Sequence, residues 1–333
     1  MSTKKQVLPT EQKRKRLIKI QVNTNPHYGK KPEERTIKEL ITSGCIIVDK
    51  PSGPSSHQIT AWVRDIFQVK KAGHGGTLDP RVTGMLPVAL ADGTRVLQVL
   101  LTAGKEYVAV MKLHKEVKEE KIRKTCASFV GTITQKPPVR SAVKRVKRQR
   151  QIYYLDILQI KDREVLFRVG CEAGTYIRTV CVDLGKKLGV GAQLDTLRRT
   201  KVGMLQEHEL VNLQDVKDAY IFWKEENDDT ALKQVLHPIE YLLGHIPKVI
   251  IRDSAVDAIC HGADLAVPGL VEIDTNIKHG DHVAIMSIKG EGVAMGTALL
   301  STEQMIEKDT GKCVTLDRVF MNKGTYPSIW KKG

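Results

Sequence analysis

Aromatic residues make up only 5% of the 333-residue chain, and no apolar run approaches the ~20 residues that cross a bilayer as a helix. The six cysteines, at 45, 126, 171, 181, 260 and 313, contain no C-x-x-C pair. That spacing excludes a zinc ribbon and a small disulfide scaffold, and it suits a reducing compartment. The N-terminal stretch "MSTKKQVLPTEQKRKRLIKI" is basic but lacks the apolar centre of a signal peptide. No G-x-x-x-x-G-K-[ST], H-E-x-x-H or G-x-S-x-G occurs, and "KGEGVAMG" falls inside a predicted hairpin rather than between a strand and a helix. Of the ten histidines, His279 and His282 alone are close enough to suggest a metal, and a pair is too few ligands for a site. The expectation is a soluble, cytoplasmic protein with no metal, no nucleotide cofactor and no membrane contact.

Acid is in short supply as well. Lys and Arg number 53 against 38 Asp and Glu, a net charge of +15. A basic globular protein of this size suits a polyanion, nucleic acid first, because phosphate contacts release counterions. Charge does not separate RNA from DNA or from anionic lipid. The basic segment 1–35 is expected to be a flexible, RNA-touching arm.

The rest alternates between strand and helix without a steady βαβ beat, which predicts an α+β fold around a mixed sheet. "CIIVD" (45–49) reads as a buried strand ending in the turn "KPSGPSS". Ser55 or Ser56 then caps a helix with Ile59, Trp62, Val63, Ile66 and Phe67 on one stripe. "KEYVAVMKLH" (105–114) alternates as a strand, and "EVLFRVGCEAGTYIRTVCVDLGKKLG" is a strand that breaks at Gly174 and resumes as a helix. Beyond "GHIPK" the texture turns to short strands between glycines. This predicts a catalytic unit over 36–246 and a small β-rich domain over 247–330, removable without harm to the first.

One segment stands out. "GHGGTLDPRVTGMLPVA" (73–89) holds four glycines, two prolines and a single acid, Asp79, so it reads as a loop of fixed shape around one carboxylate. The polar residues that could serve it are Lys105, Tyr107, Tyr176 and Arg178. Each has an ordinary explanation: Asp before Pro starts turns, a tyrosine fills a core, and an arginine decorates a helix. Together they meet a chemical need. An arginine keeps a lone carboxylate ionised and aimed, and an aromatic face stacks on a base taken out of its helix.

The loop "GHGGTLDPRVTGMLPV" resembles the catalytic motif of the TruB family of pseudouridine synthases. "IIVDKPSGPSSH" (46–57), "KEYVA" (105–109), "QKPPVRSAVK" (135–144), "GTYIRT" (174–179) and "LRRT" (197–200) follow in the family's order, and "VIIRDSAVDAICHGADLAVPGL" (249–270) is similar to a PUA RNA-binding domain. The likeness covers roughly 35–330. "CEAGTYIRT", "LGVGAQLDTLRRT" and the short segment after Lys112 resemble the archaeal and eukaryotic branch, the catalytic subunit of H/ACA ribonucleoproteins. The lack of a lysine-rich tail after Trp330 favours an archaeal origin, with nucleolar placement expected of a eukaryotic member.

The resemblance implies an RNA isomerase that needs no cofactor. By position, Asp79 matches the catalytic aspartate, Tyr107 the aromatic stacked on the target uracil, and Arg178 the aspartate's basic partner. Tyr176, Leu197 and Lys105 match other pocket residues, and His74 matches a loop histidine beside the flipped base. Gly75–Gly76 departs from relatives that carry serine or threonine first. Attack of Asp79 at C1′, attack at C6 and abstraction of a 2′-proton are all open. The implied partners are an H/ACA guide RNA, substrate rRNA or tRNA, small Nop- and Gar-type proteins and a ribosomal-type kink-turn binding protein. A stand-alone tRNA synthase and an inactive RNA-binding assembly factor are the alternatives.

Overall fold

The computed structural model describes residues 7–11, 13–137 and 146–328. Much of "QKPPVRSAVK", from 138 to 144, and Trp330 therefore lie outside the described residues.

Two mixed sheets organise the chain. The larger runs, in spatial order, through His237–Pro238, Gly44–Lys50, Thr83–Leu90, Ala192–Val202, Lys105–Leu113, Glu164–Cys171, Arg148–Lys161 and Gly131–Gln135, with Ala72–His74 added beside Thr83–Leu90. Among its described strands, the parallel pairing joins Thr83–Leu90 to Ala192–Val202. The apolar run Cys45–Val48 is wholly buried in this sheet, as a strand covered on both faces must be. The smaller sheet orders Arg16–Ile18, Leu270–Asp274, Lys248–Ile251, His282–Ser287, Gly292–Ala298, Lys312–Val319 and Leu265–Ala266. The antiparallel pair His282–Ser287 and Gly292–Ala298 is the hairpin read from the sequence.

Two helices flank the site. Ser55 caps Ser56–Ile66 by accepting from the Gln58 N–H, and the Gln58 amide oxygen accepts from the Ser55 N–H, a capping box. Ile59, Val63 and Phe67 are buried, but Trp62 is 47% exposed. Three residues on from Ile59, Trp62 sits about 60° round the helix, at the flank of the stripe. In Ile177–Leu188 the inward set Ile177, Val180, Cys181, Leu184 and Leu188 is buried throughout. Gly174 (φ 77°) makes the break before it, and Gly189 (φ 79°) ends it in the left-handed conformation that suits a residue without Cβ.

The flexible-arm expectation is corrected over the described part of 1–35. Arg16–Ile18 is an edge strand of the smaller sheet, registered Arg16 to Asp274 and Ile18 to Glu272. Leu8 is fully buried. Three of the described basic residues that made the segment look like an arm find partners within the fold. Arg16 pairs with Glu272 and Asp274, and Lys19 donates to the carbonyls of Ile306 and Lys308. Arg14 donates to the His245 carbonyl.

The C-terminal sheet does not stand apart from the catalytic one. Ile250, Val271, Met286, Met295 and Phe320 share one buried apolar cluster with Cys45, Ile47, Met85, Val96 and Leu100. Removing 247–333 would strip that cluster of six of its twenty buried residues, which corrects the expectation of a removable unit.

His245 lies at this junction, 8% exposed, its Nε2 3.1 Å from the Val99 carbonyl, which makes it the neutral tautomer that donates there. Burial lowers it from 6.5 to about 4, and the charged groups acting on it, Lys105, Arg14 and Lys248, are all cations that lower it further. Above pH 6.5 the ring is neutral in both states. Between 6.5 and 4 the unfolded chain takes up a proton that the folded chain refuses, so stability falls as pH drops through that window, by about 3 kcal/mol in all. His245→Gln should therefore lose less thermal stability than wild type between pH 7.5 and 4.5, which parallel melts would show.

Candidate active site

The loop that holds Asp79 is anchored through its backbone on every side. Ser56 Oγ donates to the Leu78 carbonyl (3.0 Å) and accepts from the Leu78 N–H (2.8 Å). Lys50, fully buried, donates to the carbonyls of Pro51, Pro80 and Val82 at 2.8–2.9 Å. Gly53 N–H reaches the Pro80 carbonyl, Val82 N–H reaches that of Asp79, and Gly75 N–H reaches that of Pro87. A Cβ at Gly75 would stand 2.4 Å from Leu100 Cδ1, so the departure at this position is matched by close packing. The result is a rigid shelf with one carboxylate on it.

That carboxylate meets Arg178, the second residue of the helix Ile177–Leu188, whose Nη2 lies 2.5 Å from Asp79 Oδ2. Both side chains are more than half exposed, so the pair faces the solvent-filled mouth where an RNA would arrive. The cleft measures about 480 Å³ and is lined by Asp79, Lys105, Tyr107, Tyr176, Arg178, Leu197 and neighbours. Among the described residues that line it, Asp79 is the sole acid. Tyr107 is half-buried, and burial raises its phenol. Tyr176 precedes the helix and is held by its main chain, its N–H donating to Gln135 Oε1 and its carbonyl accepting from Gln135 Nε2.

Two residues singled out from the sequence play other parts here. His74 is not among the lining residues. It packs edge-on against His57, ring centroids 5.0 Å apart, and its Nδ1 accepts from the Gly76 N–H at 3.4 Å. Burial, and then His57, lower its pKa. Lys105 does line the cleft, but its ammonium donates to the carbonyls of Leu100, Leu101 and Ala103 (2.7–3.2 Å). Burial draws it down to about 7, and the three acceptors oppose loss of the proton.

Two residues that shape the site, Lys50 and Arg199, were not singled out in the sequence, and Ser56 was read only as a possible helix cap. Each grips main-chain oxygen, for which no residue pattern exists. The available signal for Lys50 was a lysine closing the apolar run "IIVDK", while Arg199, between Arg198 and Thr200, had none.

Comparison with known proteins agrees with this geometry. The TruB family pseudouridylate synthase N-terminal domain matches residues 64–177, the tRNA pseudouridylate synthase B C-terminal domain 178–244, a PUA domain 247–320 and the DKCLD domain 5–60. The probable tRNA pseudouridine synthase B of Methanopyrus kandleri is 54% identical over 97% of this chain and 96% of its own. That of Pyrococcus furiosus is 50% identical over 98% and 97%. A crystal structure of a Cbf5-Nop10-Gar1 complex superposes with a TM-score of 0.93 at 50% identity, covering 97% of this chain and 98% of the matched one. An H/ACA RNP bound to a substrate RNA containing 2′-deoxyuridine gives 0.91 at 48%, covering 97% and 100%. The chain belongs to the TruB family of pseudouridine synthases.

Proposed function

We propose that the chain isomerises uridine to pseudouridine in rRNA or tRNA as the catalytic subunit of a box H/ACA ribonucleoprotein, with Asp79 as its catalytic group. The observation that carries the chemistry is a single carboxylate, paired with Arg178 at 2.5 Å, at the mouth of a cleft whose other lining residues include no acid. Hydrolysing a glycosidic bond takes two carboxylates, because water must be activated and the leaving group protonated. Isomerisation uses no water. The N1–C1′ bond breaks, the base turns, C5 joins C1′, the C5 proton leaves and N1 takes one up. One carboxylate suffices where base and sugar stay in the same pocket. Arg178 holds the carboxylate in place, and Tyr107 offers a ring face to the extruded base.

The guided reading draws support from the likeness to the Cbf5-Nop10-Gar1 complex and the substrate-bound H/ACA RNP. In this reading guide RNA, Nop- and Gar-type proteins and a kink-turn binding protein complete the particle, and base pairing chooses the uridine. The names of the curated relatives, tRNA pseudouridine synthase B, favour a second reading, in which the chain modifies tRNA unaided. Pseudouridine mapping on a target RNA and on a tRNA transcript, each with and without guide RNA and accessory proteins, separates them. Modification of the target only with guide supports the first. Full-rate tRNA modification by the chain alone, with no guided activity, overturns it.

A further inference from the structure

Arg199 is 1% exposed and heads the fully buried side chains by volume. A guanidinium in that position ordinarily has a carboxylate, yet among the described residues no ion pair involves it. Its hydrogen bonds go to places instead. Nε donates to the Met85 carbonyl at 2.8 Å, and Nη2 donates to the Gly76 carbonyl at 3.0 Å. Tyr107 stands directly across from it on the neighbouring strand, and the cation opposes the rise that burial imposes on that phenol.

These three partners have a common meaning. Gly76 stands three residues before Asp79 and Met85 six after it, so Arg199 spans the two ends of the loop. Tyr107 is its cross-strand neighbour on Lys105–Leu113, and Gly84 its neighbour on the parallel side. A Cβ at Gly84 would lie 2.3 Å from the Arg199 carbonyl, so that approach is open only to glycine. The loop is thus clamped by the Arg199 side chain at both ends, with a backbone contact at Gly84 besides.

We propose that Arg199 is a positioning residue, which fixes the Asp79 loop and the Tyr107 ring as one body and so sets the separation of carboxylate and stacked base. The proposal rests on the isomerase reading above. Asp79 lies on the loop and Tyr107 on a strand, and Arg199 is hydrogen-bonded to that loop and registered beside Tyr107. A misplacement of about 1 Å between reacting groups costs on the order of a hundredfold in rate, whereas RNA affinity, spread over many phosphate contacts, does not depend on that separation.

The test uses the assembled particle with guide RNA. Single-turnover isomerisation, RNA affinity and melting temperature are measured for wild type, Arg199→Lys, Arg199→Met, Tyr107→Phe and the Arg199→Lys/Tyr107→Phe double variant. Lysine keeps the charge but lacks the planar fork that reaches the Met85 and Gly76 carbonyls from two separate nitrogens. Arg199→Lys is expected to bind RNA within about threefold of wild type while its single-turnover rate falls at least about tenfold. Its effect should shrink in the Tyr107→Phe background, because the two side chains are cross-strand neighbours and couple. An unchanged rate overturns the proposal, as does a rate loss matched by equal losses in binding and melting temperature. Full additivity with Tyr107→Phe also overturns it. If Arg199→Met fails to fold, the lysine variant decides. An inactive wild-type particle would count against the isomerase reading, not against the role of Arg199.

Discussion

Asp79→Asn should leave a particle that binds RNA as tightly as wild type and forms no pseudouridine. The substitution keeps size and shape, and the loop does not depend on the carboxylate, since Ser56, Lys50, Gly53 and Arg199 all hold its main chain. What disappears is the only acid among the cleft's lining residues. No neighbouring acid can substitute, so the rate should fall by at least about four orders of magnitude. Removing a negative charge from a chain of net charge +15 cannot weaken its attraction for phosphate. Pseudouridine formed above background by the purified variant would show that Asp79 is not the reacting group.

Arg178→Ala is expected to be nearly as damaging by a different route. The carboxylate survives but loses a charge-assisted bond of 2.5 Å that fixes its direction. Loss of one oriented charge partner costs about two to three orders of magnitude. Arg178→Lys should recover part of that, because a point charge restores the attraction without the guanidinium's geometry. The diagnostic measurement is single-turnover rate beside RNA affinity, with the rate falling while affinity holds. Equal losses in rate and affinity would mean that Arg178 serves the RNA and not Asp79.

Local features of the fold were legible because they write themselves into residue patterns. The inward stripe of Ile177–Leu188 has helical spacing, Gly174 and Gly189 punctuate it, and the run at Cys45 has the density of a doubly covered strand. Asp79 was legible because a lone acid among glycines and prolines is conspicuous. Other features depend on what the chain meets elsewhere. The basic residues around Arg16 look unpaired until Glu272 and Asp274 arrive from 256 and 258 residues away. Lys50 and Arg199 look like surface cations, because the carbonyls that receive them carry no side-chain signature. His74 was placed by likeness, and its neighbour His57 comes from a separate helix.

The apolar cluster that joins the two sheets also bears on how changes far from the cleft would register in a cell. Ile250, Val271, Met286 and Phe320 touch no reacting group, yet they line the same core as Met85, on the strand that leaves the Asp79 loop. A chain built this way melts as one unit, so damage at these positions drains the pool of folded enzyme instead of slowing each molecule. A loss of about 1–2 kcal/mol is enough to change steady-state abundance several-fold once proteases sample the unfolded fraction. Variation in the C-terminal sheet would then show itself as too few particles, each working at full speed.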